Sequence, residues 1–114
     1  MMNNMGQVKH IVVLVTVSSR QEAESIARGV VEAGLAACVN MVPQVSSLFR
    51  WQGKVEGAEE SLLVIKTALV AMDKLIERIT ALHSYDVPEI IALPIVAGAQ
   101  PYLNWIDESI GQPE

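Results

Sequence analysis

Short apolar runs that are too brief for helices alternate with two stretches of helical periodicity, and that alternation limits the folds open to this chain more than any single motif. His10 to Val17 (His-Ile-Val-Val-Leu-Val-Thr-Val) is continuous, β-branched and eight residues long, the pattern of a buried central strand. Ser18 and Ser19 follow, and Ser19 with Glu22 has the S-x-x-E spacing of a capping box. Ala23, Ile26, Ala27, Val30 and Val31 then mark one helical face, with Gly34 where a helix-terminating glycine belongs. Leu35 to Val42 reads as a second strand stopped by Pro43, and Gln44 to Lys54 as an extended, partly exposed strand running to Gly53. Val55 to Glu60 is charged and contains Gly57, so it reads as a turn; Ser61 to Leu69 pairs back as a hairpin partner. Met72, Leu75, Ile76, Ile79 and Leu82 predict a second amphipathic helix ending near His83. Glu89 to Val96 is a further strand, bent or at an edge at Pro94, and Pro101 opens a last short helix carrying Leu103, Ile106 and Ile110.

The order is β-α-β-β-α-β with a C-terminal helix. Two β-α-β units joined by a hairpin predict an α+β protein of the ferredoxin-like kind: an antiparallel sheet with both crossover helices on one face. The opposite face is then bare. With strands this apolar it needs a cover, most simply further copies of the chain. Composition leads to the same place, since 51% of the 114 residues are hydrophobic and only 18% charged, a high apolar share for so small a chain, which has much surface for its volume. The chain reads as one domain over residues 1–114, with a flexible polar start over 1–9.

Charge and cysteine usage exclude several function classes. The formal net charge is −5 and the eight Lys and Arg residues are scattered singly, which leaves no basic stripe for nucleic acid. Cys38 is the one cysteine, so the chain can build neither an internal disulfide nor a multi-thiolate zinc site, and a reducing cytoplasm fits. No apolar run reaches the ~20 residues of a membrane helix, and the start lacks the apolar core of a signal peptide. No nucleophile-elbow, phosphate-loop or dinucleotide motif is present, so the chain reads as a non-enzyme.

Polar chemistry is concentrated in His83-Ser84-Tyr85-Asp86-Val87-Pro88-Glu89, where an imidazole, a phenol and carboxylates meet between a helix and a strand. Pro88 fixes its own φ and biases Val87 to extended geometry, so the turn is stiff. Such a turn can be a binding site or a well-made corner. His83 could ligate a divalent cation with Asp86 or Glu89, or with carboxylates of a neighbouring subunit; as a lone imidazole with oxygen partners it would bind weakly. It could equally be a helix-terminal imidazole favoured by the dipole. His10 opens a strand and reads as solvated, while Cys38, between Ala37 and Val39, reads as a buried thiol with no local base. Lys66 follows four apolar strand residues; it either reaches water, pairs with Glu60 or Glu89, or faces an anionic ligand. Trp51, Tyr102 and Trp105 read as packing residues, with Trp51 suited to a subunit boundary.

Together, Leu35-Ala36-Ala37-Cys38-Val39-Asn40, Trp51-x-Gly53-Lys54, Glu60, Lys66-Thr67, His83-x-Tyr85-x-x-Pro88-Glu89 and Tyr102-Leu103-x-Trp105-Ile106 resemble the CutA family of divalent-cation tolerance proteins, from about His10 to Ile110. The resemblance implies a ferredoxin-like protomer in a tight homotrimer, similar in architecture to the PII signalling proteins, and a role in tolerance of copper and other divalent metals. It places the shared polar residues in clefts between subunits: Trp51, Glu60, Lys66, His83, Tyr85 and Glu89. Some members are assigned a copper site of one cysteine and a His-His pair. The matching positions here are Val15, Leu82 and His83, so one of three ligands remains. Ser84 stands for the usual proline, Asp86 for a glutamate and Phe49 for a tyrosine. Three readings follow: a metal-tolerance trimer binding Cu²⁺ or another divalent ion weakly, with no obligatory cofactor; a PII-like trimer holding a small anionic ligand against Lys66; or a rigid trimer whose polar cluster is structural.

Overall fold

The computed structural model describes residues 7–111. The elements run β1 (His10–Val17), α1 (Arg20–Glu32), β2 (Cys38–Trp51), β3 (Lys54–Ala68), α2 (Met72–Leu82), β4 (Ile90–Pro94) and α3 (Gln100–Ser109), and a 3₁₀ turn at Leu69–Ala71 leads into α2. One four-stranded sheet has the order β2-β3-β1-β4, and every neighbouring pair is antiparallel. This is the expected α+β, ferredoxin-like arrangement.

Side-chain alternation explains the two faces. Ile11, Val13, Val15 and Val17 of β1 are buried, as are Leu63 and Ile65 of β3, and they pack against Ala23, Ile26 and Val30 of α1 and Leu75 and Ile79 of α2. Each such buried Val, Leu or Ile side chain contributes about 1.5–3 kcal/mol. Val12, Leu14 and Thr16 alternate to the other side, and α3 crosses one end of it: His10 Nε2 lies 2.8 Å from Asp107 Oδ1, and the Gly111 amide donates to the Gly34 carbonyl. His10 is therefore buried against α3 instead of solvated. The expected flexible start falls partly on residues 1–6, outside the described residues. Beyond them it is tied down, with Val8 packed on the core and the Lys9 carbonyl accepting from the Leu69 amide.

Both ends of α1 follow the sequence: Ser19 is the N-cap, its Oγ accepting from the Glu22 amide at 3.1 Å, and Gly34 takes φ 73°. The hairpin departs from expectation. Leu35 to Ala37 form a connection, held by the Leu35 amide on the Val30 carbonyl and the Ala37 amide on the Lys66 carbonyl. Pro43 does not stop the strand; β2 runs on to Trp51 through a bulge between Val42 and Val45, with Gln44 at φ 59°. β2 is an edge strand, where a residue without an N–H is tolerated at a bulge. Val55 to Glu60 is not the turn but strand, and the turn is Gln52-Gly53, both at positive φ (50° and 80°). A two-residue loop needs that twist, and Gly53 supplies it without strain.

The hairpin is consequently much longer than β1. Its pairs with β1 end at Ser61–Val17, while β2 and β3 continue from Val45–Glu60 to Trp51–Lys54 as a two-stranded arm. Leu48, Phe49, Trp51 and Val55 on that arm are all exposed, Leu48 by 82%. A lone two-stranded ribbon is marginal in water.

Candidate functional site

The polar residues of the 83–89 turn do meet a partner from elsewhere in the fold, but only some of those expected. α2 ends at Leu82, and His83 leaves it with extended backbone (φ −81°, ψ 143°). That direction drives the imidazole under the end of β1, where the side chain is fully buried. Its Nε2 is 2.8 Å from the Thr16 carbonyl, and its Nδ1 accepts from the Tyr85 amide at 3.0 Å. An accepting Nδ1 and a carbonyl at Nε2 specify one neutral tautomer, protonated at Nε2. The Tyr85 ring packs on the imidazole with centroids 4.7 Å apart. Its hydroxyl donates to Glu60 Oε2 at 2.7 Å, a short bond to a carboxylate. Burial and then this bond to Glu60 push the Tyr85 phenol up to about 12.

Glu60 is the last residue of the arm before β3 enters the sheet, and it is 8% exposed. The structure thus brings His83, Tyr85 and Glu60 together at the foot of the arm. Glu89 precedes Ile90, which pairs with Val15, so it stands at the same end of the sheet, but it is exposed and bonded to no described residue. Lys66 and Trp51 are elsewhere. Lys66 lies six residues along β3 from Glu60, about 20 Å at strand rise, beside Cys38 and Val12. Trp51 is paired with Lys54 at the tip, about 20 Å the other way. Neither Glu60 nor Glu89 reaches Lys66 within one protomer.

Sequence reasoning missed one member of this corner. Glu22 served there only as part of a capping box, and such a glutamate ordinarily reaches back to the N-cap amide. Here Oε1 goes one residue further, accepting from the Ser18 amide at 2.9 Å and the Ser18 hydroxyl at 2.8 Å. Oε2 accepts from the Ser84 amide at 2.7 Å and lies 3.8 Å from His83 Nδ1. Burial alone would raise this carboxyl; the hydrogen bonds from Ser18 and Ser84 outweigh it and bring the value down to about 2. The doubled serine before α1 is the only local signal, and nothing local points to Ser84.

Two grooves flank these elements. One of about 420 Å³ opens beside the corner, lined by Ser18, Ser19, Arg20, Gln44, Glu60 and Ser61 among others. The other, about 470 Å³, lies between α1 and the free edge of β2, along Ala27, Val31, Val39 and Met41. As a metal ligand, His83 would have to give up one of two hydrogen bonds, and among the described residues no group of three His, Cys, Asp or Glu side chains could hold an ion. Cys38 is half-buried, its Sγ 4.0 Å from Asn40 Oδ1. Among the described residues no helix is long and apolar enough to cross a membrane.

Comparison with known proteins bears on what this corner belongs to. Residues 11–109 match the family model of the CutA1 divalent ion tolerance protein. The chain is 53% identical over 100 residues to the divalent-cation tolerance protein CutA of Thermus thermophilus, covering 88% of this chain and 97% of that one. It is 47% identical over 102 residues to the chloroplastic protein CutA of Arabidopsis thaliana, of which it spans only 56%. The solved Thermus thermophilus structure superposes with a TM-score of 0.88 at 52% identity, over 90% of this chain and 99% of that one. CutA1 from Oryza sativa gives the same TM-score at 46% identity, over 90% and 94%. The chain belongs to the CutA1 divalent ion tolerance family.

Proposed function

We propose that this protein serves divalent-cation tolerance as a homotrimer, binding a divalent metal weakly. The observation that carries the reading is the match over residues 11–109 to proteins named for that tolerance. Those names describe tolerance and not a reaction, and no catalytic role is proposed. Trimerisation draws support from the fold: an arm with Leu48, Phe49, Trp51 and Val55 exposed and a sheet face only partly covered by α3 both call for apolar partners. Lys66 and Trp51, about 20 Å to either side of Glu60 on one chain, can share a cleft with Tyr85 only if another subunit supplies them. A cytoplasmic location is proposed with it, on the single free thiol.

Metal contact through His83 is the finer part of the proposal. Nδ1 must exchange the Tyr85 amide for the ion, so binding is weak and disturbs the turn. Isothermal titration of Cu²⁺ into wild type and His83→Ala tests it: weak saturable heat in the wild type, lost in the variant, is expected. Superimposable curves would remove His83 from the site. The names of the relatives lend no support to a signalling trimer with an anionic ligand.

A further inference from the structure

We propose that Glu22 is the positioning residue of the His83–Tyr85 turn: its one carboxylate ties the start of α1 to the turn and so sets Tyr85 on Glu60. The proposal rests on the reading that the Tyr85–Glu60 corner is the functional site. Glu22 and Ser84 are 62 residues apart, and the bond between them joins two elements that share no strand pairing. The side chain is 12% exposed. Every polar group aimed at it within hydrogen-bond distance is a donor: the Ser18 amide, the Ser18 hydroxyl and the Ser84 amide.

That donor set explains why the residue is glutamate. Both oxygens must accept, and only an ionised carboxylate offers two acceptors and no proton. Glutamine presents one oxygen and one NH₂, so whichever way it turns, an amide donor faces an amide donor. Aspartate is one methylene shorter and cannot bridge Ser18 and Ser84 from the same backbone position. The departure from ordinary capping geometry points the same way. Ser19 Oγ already satisfies the Glu22 amide, and the carboxylate is turned away from the N-cap toward the turn.

The consequence passes through three contacts. With the Ser84 amide held, His83 seats between the Thr16 carbonyl and the Tyr85 amide, and Tyr85 projects to Glu60. Releasing Ser84 leaves the turn held by the His83 side chain and the Tyr85 hydroxyl, and Tyr85 loses its fixed approach to the arm.

Amide hydrogen exchange on the full chain, comparing wild type, Glu22→Gln, Glu22→Asp and Ser19→Ala, tests this. Glu22→Gln should speed exchange at Ser84 and Tyr85 about tenfold or more while β1 and β3 amides keep their protection. Glu22→Asp should not rescue it, and Ser19→Ala, which weakens the cap alone, should leave the turn protected. Unchanged Ser84 and Tyr85 protection in folded Glu22→Gln, or equal loss in Ser19→Ala, would overturn the proposal. A double-mutant cycle with Tyr85→Phe gives a second reading. Tyr85→Phe should shift the unfolding equilibrium by about ten- to a hundredfold in the wild type and by under twofold in Glu22→Gln; equal shifts in both backgrounds would also overturn it. Cu²⁺ titration of the same variants keeps the two ideas apart. Fast exchange in Glu22→Gln with no copper heat in any variant supports the positioning role and removes the metal reading alone.

Discussion

The corner at the end of β1 and the arm beyond it adjoin at Glu60, yet they solve opposite problems. The corner is polar and complete within one chain: Glu22, His83 and Tyr85 all have partners at 2.7–3.0 Å, and among the described residues no buried side-chain nitrogen or oxygen is left unpaired. The arm is apolar and incomplete, since β2 and β3 pair there only with each other and leave Leu48, Phe49, Trp51 and Val55 in water. A satisfied polar cluster holds its geometry without a partner, because opening it would strand buried donors and acceptors. An apolar ribbon has no such internal restraint and acquires its stability from whatever covers it. The difference separates what one chain builds from what the proposed trimer would have to build.

The comparison breaks most visibly on the arm. Replacing Leu48 and Val55 together by glutamate should dissociate the proposed trimer, with a fall in sedimentation mass to that of one chain and a loss of several kcal/mol of apparent stability. An unchanged mass would mean that the arm does not carry self-association. A smaller effect is expected at the boundary. Tyr85→Phe removes one hydrogen bond to a buried carboxylate and should lower the unfolding free energy by about 1.5–3 kcal/mol in urea titrations. A loss near zero would show that Glu60 is solvated.

The smallest effect comes from acid. The Glu22 carboxyl ionises at about 2 when folded, against 4.5 ordinarily, so the folded state holds its proton less tightly than the unfolded. Its contribution is therefore fully present above about pH 4.5 and is lost as pH falls toward 2. After allowance for solvent screening this amounts to about 1–2 kcal/mol. Wild type and Glu22→Gln should accordingly converge in stability across that window. A gap between them that persists at pH 2 would place the effect elsewhere than in the charge.

Much of this was legible in local sequence. The apolar run of β1, the Ser19 cap, Gly34 and the α2 periodicity each act over a few residues, so His10–Val17, Arg20–Glu32 and Met72–Leu82 follow from sequence alone. The hairpin was not legible. A proline at 43 and a charged, glycine-containing stretch at 55–60 look like breaks, while the real turn uses Gln52, which advertises no positive φ. Only the register of an edge strand with a bulge reconciles them.

The site divides along the same line. Sequence determined that His83, Tyr85 and Glu89 would sit between a helix and a strand, because helix end and Pro88 are local signals. Tertiary structure alone decided that Tyr85 meets Glu60, that both nitrogens of His83 are occupied, that Lys66 and Trp51 stand far from them, and that Glu22 joins the group. These are contacts between residues as much as 67 positions apart. Which donor meets which acceptor at that separation is set by strand register and crossover geometry, and no short stretch of the chain encodes either.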